Sequence, residues 1–503
     1  MSNPGQSAAA PQQRTFMGHP VGLYVLFFTE MWERFSFYSM RAFLALYMTK
    51  AMALSDSTAN GVYGAYLGFV YATTFIGGML ADRLLGQRRC IITGGLLMAA
   101  AQFTLAAHSF MLQKDGAAIS SLHGVFFLGL SLLAAGNGFF KPNISTIVGS
   151  LYPQGDVRRD GAFTIFYMGI NIGAALAGFS GQFAESYGWH WGFLIAGVGM
   201  LFGQIIFQFG LQYLEGKGLP PVRPATAGVK SSLTRWTALI VAGVAVFIPG
   251  AAWLMSHPEY VQNIALIIAP PVLIYLLWEA SRGTREERGR MLVLIVMCSF
   301  SMMFWAFFEL AGSAVNLFTD RYVDRSVSLF GWTRTLGASL LTAQINPIFI
   351  ILLGIPFARL WVWLDKRRLE PSSPLKFALG LAQLAAGFFV FYLGAKAAGP
   401  NGKCNMSFLV LGFFLHTTGE LCLSPVGLST VTKLSPARLV GMFMGVWFLA
   451  SALGNVFGGM VGHYTEKYGF MDVFFWIGVI AAAAAALLFI LVPGLKKMMY
   501  GVK

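Results

Sequence analysis

Residues 215–235 read EGKGLPPVRPATAGVKSSLTR, a polar break in an otherwise apolar chain of 503 residues. Pro220, Pro221 and Pro224 remove backbone donors and bar a continuous helix, so the stretch reads as a linker. What lies on either side of it decides the fold. Toward the N-terminus, apolar runs fall near 22–49, 60–82, 90–112, 122–151, 161–186 and 190–214. Beyond the linker come two more, near 236–255 and 259–279, and then a charged run over 282–290. A further six follow near 291–318, 331–361, 375–398, 407–433, 440–465 and 470–493. Each is close to the roughly 20 residues that a helix needs to cross a bilayer. The expected fold is an all-α polytopic membrane protein of fourteen spans. Residues 1–214 form an N-terminal six-helix bundle, 215–290 a linker with two additional helices, and 291–503 a C-terminal six-helix bundle. Six plus six is the pattern of transporters built from two similar halves.

Composition supports that reading. Hydrophobic residues make up 56% of the chain and charged residues 11%, against roughly 25% charged in a soluble domain. Mean hydropathy is +0.65. A soluble globule of this kind would expose large apolar patches and aggregate. Runs this long also exclude a β-barrel, and the same numbers exclude disorder and a disulfide scaffold. Cys90, Cys298, Cys404 and Cys422 are far apart and show no metal-ligand spacing, so neither disulfide, metal nor cofactor is expected. The first 19 residues are polar, and no cleaved signal peptide is expected.

The net charge of +14 reflects retained cytoplasmic Lys and Arg rather than a nucleic-acid partner. With the N-terminus inside, 24 basic residues fall in cytoplasmic segments and 8 in outer loops. That bias puts both termini in the cytoplasm. No loop is long enough for a soluble catalytic domain, and no nucleophile stands beside a base at mid-membrane depth. An enzyme is therefore not expected.

Three basic residues remain inside the spans, Arg34, Arg41 and Lys141, together with the acids Glu30, Glu33, Glu309 and Glu420. Each costs roughly 2.5–3.5 kcal/mol at a helix centre. Unpaired, the set would cost on the order of 20 kcal/mol, more than the net stability of most proteins. These groups must face a polar interior and pair. Arg41 lies about 16 Å beyond Glu30 along the first span but on nearly the same face. Depth places Arg41 with Glu309 in an outer layer, and Lys141 with Glu30, Glu33, Arg34 and Glu420 in an inner one. Each layer joins one half of the molecule to the other, as an alternating gate requires. Four acids against three bases leave one carboxylate without a basic partner, a natural proton carrier in a dry site.

At these residues the sequence resembles a known family. Glu30-Met-Trp-Glu33-Arg34-Phe35-Ser36-Phe37-Tyr38, continued by Arg41, is similar to the E-x-x-E-R-F-x-Y-Y signature of proton-coupled oligopeptide transporters of the major facilitator superfamily. Gly138-Phe-Phe-Lys141-Pro142-Asn143 and Phe166-Tyr167-Met-Gly169-Ile-Asn171 resemble its fourth- and fifth-helix signatures. Phe304-Trp305 with Glu309, Asn346-Pro347, Glu420 with Ser424-Pro425, and Trp447 match its second half. The extra helix pair and the short loop at 396–406 resemble the bacterial branch.

The resemblance implies a symporter that imports di- and tripeptides with protons across the cell inner membrane by alternating access, as a monomer in the lipid bilayer. Arg41 and Lys141 are then expected to hold the peptide carboxylate, and Glu420 its ammonium. Asn171 and Asn346 bond the peptide backbone or amine, and Tyr38, Tyr71, Trp305, Ser424 and Trp447 line the pocket. Glu30, Glu33, Arg34 and Glu309 carry proton coupling. The Lys141–Glu420 pair closes the cytoplasmic side and Arg41–Glu309 the outer side. Phe37 departs from the signature by standing where it has tyrosine. A major-facilitator carrier of another organic solute shares the fold, but has no need of paired carboxylate- and amine-binding residues.

Overall fold

The computed structural model describes residues 14–115, 122–153, 156, 158–220, 229–329, 332–399 and 402–501. Pro221, Arg223 and Pro224 of the linker and the first 13 residues lie outside that set. Apart from short strands the described chain is helical: α1 (Val21–Lys50), α2 (Asp56–Leu80), α3 (Gln87–Asp115), α4 (His123–Ser150), α5 (Arg158–Tyr187), α6 (Trp189–Gly210), α7 (Val229–Ser256), α8 (Pro258–Arg282), α9 (Arg285–Phe308), α10 (Ala314–Tyr322), α11 (Ala338–Lys366), α12 (Ser373–Ala398), α13 (Ser407–Leu434) and α14 (Val440–Met498).

Local chemistry sets many of these ends. Ser55 caps α2 by accepting from the Thr58 amide at 3.1 Å, with Asp56 in the first turn facing the positive end of the helix dipole. Thr284 and Glu287 form a reciprocal capping box at the start of α9. His257 alone separates α7 from α8, and Pro258 opens α8 at a position where its missing N–H costs nothing. The long run of α14 turns at Gly469, whose φ of 78° suits glycine, so its two limbs match the separate expected runs at 440–465 and 470–493.

Two expected spans differ from the structure. The run over 291–318 is not one helix: α9 stops at Phe308, a 3₁₀ turn spans Glu309–Gly312, and α10 resumes at Ala314. The cause is local. A Cβ on Gly312 would run into the Tyr63 hydroxyl, and Ser313 has non-helical angles, φ −128° and ψ −95°. The run over 331–361 begins late, because Trp332–Thr335 pairs antiparallel with Ser326–Leu329 and the helix starts only at Ala338.

Among the described residues, eleven helices are long and apolar enough to cross a membrane. α1 falls outside that number because Glu30, Glu33, Arg34, Arg41 and Lys50 interrupt its apolar run. In the first half α1 packs on α5 and α6, α3 on α4 and α6, and α2 on α4. In the second, α12 packs on α13 and α14, α14 on α9, and α11 on α13. The halves meet along two seams, α2 against α14 and α5 against α11. At the first seam the backbones nearly touch: a Cβ on Gly64 would lie 2.8 Å from the Gly459 Cα, the close approach that small residues allow between membrane helices. α7 packs on α4 and α2, and α8 on α9, α14 and α2, so the extra pair backs this seam.

Candidate functional site

Between the two halves lies a cavity of about 1510 Å³, counting its solvent-open part. α1 supplies Tyr38 and Arg41, α2 Tyr71, α4 Lys141 and α5 Asn171. From the second half come Trp305, Glu309, Asn346, Glu420, Ser424 and Trp447. The structure thus gathers on one space every residue expected to line a peptide pocket. It adds aromatic and small polar walls that sequence reasoning missed as pocket residues, among them Tyr167, Phe308, Thr342, Phe448 and Ser451. A positional signal existed for two of them. Tyr167 is one turn before Asn171, whose Nδ2 donates to its carbonyl at 2.9 Å, and Ser451 is one turn after Trp447.

The charges occupy distinct places in this space. Arg41 donates through Nη2 to the Glu309 carboxylate, which belongs to the other half. Its Nε donates to the Tyr63 hydroxyl at 2.7 Å. The break after α9 therefore has a consequence: the 3₁₀ turn presents Glu309 to α1. The Lys141 ammonium lies 4.9 Å above the Tyr71 ring, a cation–π placement. Asn346 donates through Nδ2 to Glu420 at 2.9 Å and to Thr417 Oγ1 at 3.0 Å. Among the described residues no ion pair joins Lys141 to Glu420.

Glu30, Glu33 and Arg34 do not line the cavity. They are buried inside the first bundle, where Arg34 forks onto the Glu33 carboxylate, with Nη2 donating to Oε1 at 2.6 Å. The Arg34 Nε also lies 3.3 Å from Glu30, and Asn137 donates to Glu33 at 3.2 Å. One arginine thus serves two carboxylates. Tyr38 links this cluster to the cavity, its ring 5.9 Å from the Arg34 guanidinium and 5.7 Å from that of Arg41. His416 is fully enclosed by Phe388 and Phe391, with ring centroids at 4.8 and 5.2 Å, which gives it a packing role behind the cavity wall.

The two ends of the cavity differ. Where α1 finishes, polar contacts tie the halves together. Lys50 meets Asp320 at 2.7 Å, and Arg321 forks onto Asp56 at 2.5 and 2.7 Å. Glu466 accepts from the Ser57 amide at 2.8 Å. Glu185 of α5 accepts from the Ser339 amide at 2.9 Å, placing its charge at the positive end of α11. At the opposite end α11 becomes exposed. Gln344 still donates to the Ala175 carbonyl at 2.7 Å, but past Ile350 no residue of α11 is buried. Polar ties between the halves thus gather at one end of the cavity, and at the other α11 is exposed.

The model of the POT family matches residues 88–477. Peptide transporter YePEPT of Yersinia enterocolitica subsp. palearctica is 36% identical over 98% of both chains. A di-/tripeptide transporter of Lactococcus lactis subsp. cremoris is 32% identical over 98% of this chain and 99% of its own. Among solved structures, a mutant peptide transporter POT in complex with alafosfalin is 34% identical and superposes with a TM-score of 0.84 over 97% of this chain and 98% of the other. A POT family transporter in complex with 5-aminolevulinic acid is 29% identical, with a TM-score of 0.83 over 96% and 98% of the two chains.

Proposed function

This chain belongs to the POT family, and from that premise we propose that it is a proton-coupled symporter importing di- and tripeptides by alternating access. It is a transporter and not an enzyme. The observation that carries the reading is the distribution of charge in the cavity. Arg41 and Lys141 stand on the walls of the first half and Glu420 on that of the second, all facing one space. A zwitterionic peptide is complementary to that arrangement: its carboxylate goes to Arg41 and Lys141, and its ammonium to Glu420 beside Asn346. Asn171 bonds the backbone, and the aromatic walls accept varied side chains.

On this reading the end of the cavity where α11 is exposed faces the cytoplasm. Arg41–Glu309 and the polar ties around Lys50 and Asp56 seal the outer end. In the opposite state Lys141 leaves Tyr71 and pairs with Glu420 to seal the inner end. Glu309 takes a proton as it leaves Arg41, and Glu30 and Glu33 exchange protons from the cytoplasmic side under the control of Arg34. The eleven apolar helices, with α1, α7 and the second limb of α14, make fourteen spans. The six-helix bundles are 1–214 and 291–503, and both termini are cytoplasmic in a monomer of the inner membrane. The test is peptide-stimulated proton uptake by the purified protein in liposomes. An absence of proton movement during uptake of dialanine overturns the symport reading.

A further inference from the structure

Tyr66 on α2 is fully buried, and its hydroxyl has no hydrogen-bond partner among the described residues. A buried hydroxyl left in that condition is costly, so it needs a reason to be there. Its surroundings supply one. The charged and titratable groups whose fields reach it are Tyr63, one turn earlier on α2, with Arg41, Glu33 and Arg34 on α1. Phe37 lies against it, ring centroids 6.5 Å apart. The Arg34 guanidinium lies 5.1 Å from that same Phe37 ring. The Phe37 ring offers Arg34 no hydroxyl, and Tyr66, which lies against that ring, has one without a partner among the described residues. On its other side Tyr63 takes the Arg41 Nε at 2.7 Å, and Arg41 holds Glu309.

Two further unpartnered buried oxygens border the lower cluster, Glu30 Oε2 and Asn137 Oδ1. The Glu30–Glu33–Arg34 group is therefore incompletely satisfied, and both it and the Tyr63–Arg41–Glu309 chain have members among the groups whose fields reach Tyr66. We infer that Tyr66 is a positioning residue of the coupling machinery: its hydroxyl, bridging through water to the Glu33–Arg34 pair on one side and to Tyr63 on the other, connects the buried carboxylate cluster to the outer gate. When Glu33 gains or loses a proton, Arg34 changes its hold, and the hydroxyl turns its proton toward whichever side needs a donor. A phenol can do this because it both donates and accepts. No proton is transferred at Tyr66: the O–H rotates, donating on one side while the oxygen accepts on the other. It is not a peptide contact, since Tyr66 does not line the cavity.

This inference rests on the proton-coupled reading above, so the test begins with the unaltered protein. Proteoliposomes are loaded for two assays of dialanine movement, uptake driven by a proton gradient and counterflow against unlabelled peptide. If the unaltered chain shows no driven uptake, the symport reading fails first, and the inference with it. Tyr66→Phe keeps the ring and removes only the unpartnered oxygen, so folding is not at risk. The ratio of driven uptake to counterflow should fall roughly tenfold, about what one hydrogen bond to a charged group is worth. Tyr63→Phe should lower the same ratio, and the double variant should be no worse than the lower single, because the two act in one chain. An unchanged ratio in Tyr66→Phe overturns the inference. So does a parallel loss of both activities, which marks a purely structural role, or a double variant whose losses multiply.

Discussion

Lys141 and Glu420 face the same cavity without touching: the ammonium rests 4.9 Å over Tyr71, while the carboxylate takes the Asn346 amide at 2.9 Å. Each is held by a neutral group, and neither makes an ion pair among the described residues. A peptide with a free carboxylate and a free ammonium supplies both missing partners at once, so binding is gained where the empty site is least satisfied.

Arg41→Ala and Glu420→Ala should therefore each abolish uptake while leaving folded, membrane-inserted protein. Removing one partner of a buried hydrogen-bonded charge pair costs about 2–5 kcal/mol, or roughly 30-fold and upward in affinity. Dialanine binding to detergent-solubilised variants, with gel filtration as the control for folding, checks this. Normal binding by either variant contradicts the assigned clamps.

Size selection follows from the same two walls. Dipeptides and tripeptides with many side chains should compete with one another, because the fixed contacts go to their termini and backbone. Free amino acids reach one wall only, and a peptide amidated at its C-terminus gives Arg41 nothing to grip. Competition uptake measures this directly, and strong inhibition by either of those two compounds would count against the pocket.

Glutamine keeps the size and hydrogen bonding of glutamate but cannot release a proton. Of Glu30→Gln, Glu33→Gln and Glu309→Gln, at least one should lose accumulation driven by a proton gradient while keeping peptide counterflow. Glu309→Gln should also loosen the outer gate, since Arg41 loses its charged partner. If all three still accumulate peptide against its gradient, carboxylate coupling is refuted.

The α2–α14 seam provides a steric test. A side chain at Gly64 meets the Asn455 carbonyl at 2.7 Å as well as the Gly459 backbone. Gly64→Val should force the outer ends of the helices apart, at a cost of about 1–3 kcal/mol to the sealed state. A cysteine placed at Ser57 in that background should react faster with a membrane-impermeant thiol reagent than in the parent. Equal rates would mean that the seam does not need this contact to close.

The charged part of the site was legible because an ionised group in an apolar helix has no cheap explanation: Arg41, Lys141, Glu309 and Glu420 announced themselves by cost alone. Their apolar neighbours did not. Phe308 in the cavity wall and Phe304 in the packed core are four residues apart in one run, and composition cannot say which faces the substrate. The break at Glu309 was hidden for a related reason, since Ala311 and Gly312 continue an apolar run and the close approach of Tyr63 to Gly312 comes from α2. Trp332–Thr335 was drawn into a span by the apolar stretch that follows it, although its real partner is the strand at Ser326–Leu329. In each case the deciding contact lies on another element.

The helix pair α7–α8 carries a mechanical implication. α7 is fastened to α4 and α8 to α9 and α14, with His257 the only residue between them. Along the α2–α14 seam the halves are thus bound as the leaves of a book are bound at the spine, and little separation is possible there. The α5–α11 seam, where α11 has no buried residue beyond Ile350, is the fore-edge. On the alternating-access reading, travel is greatest on that side, and the face of α11 borders the route a peptide would take.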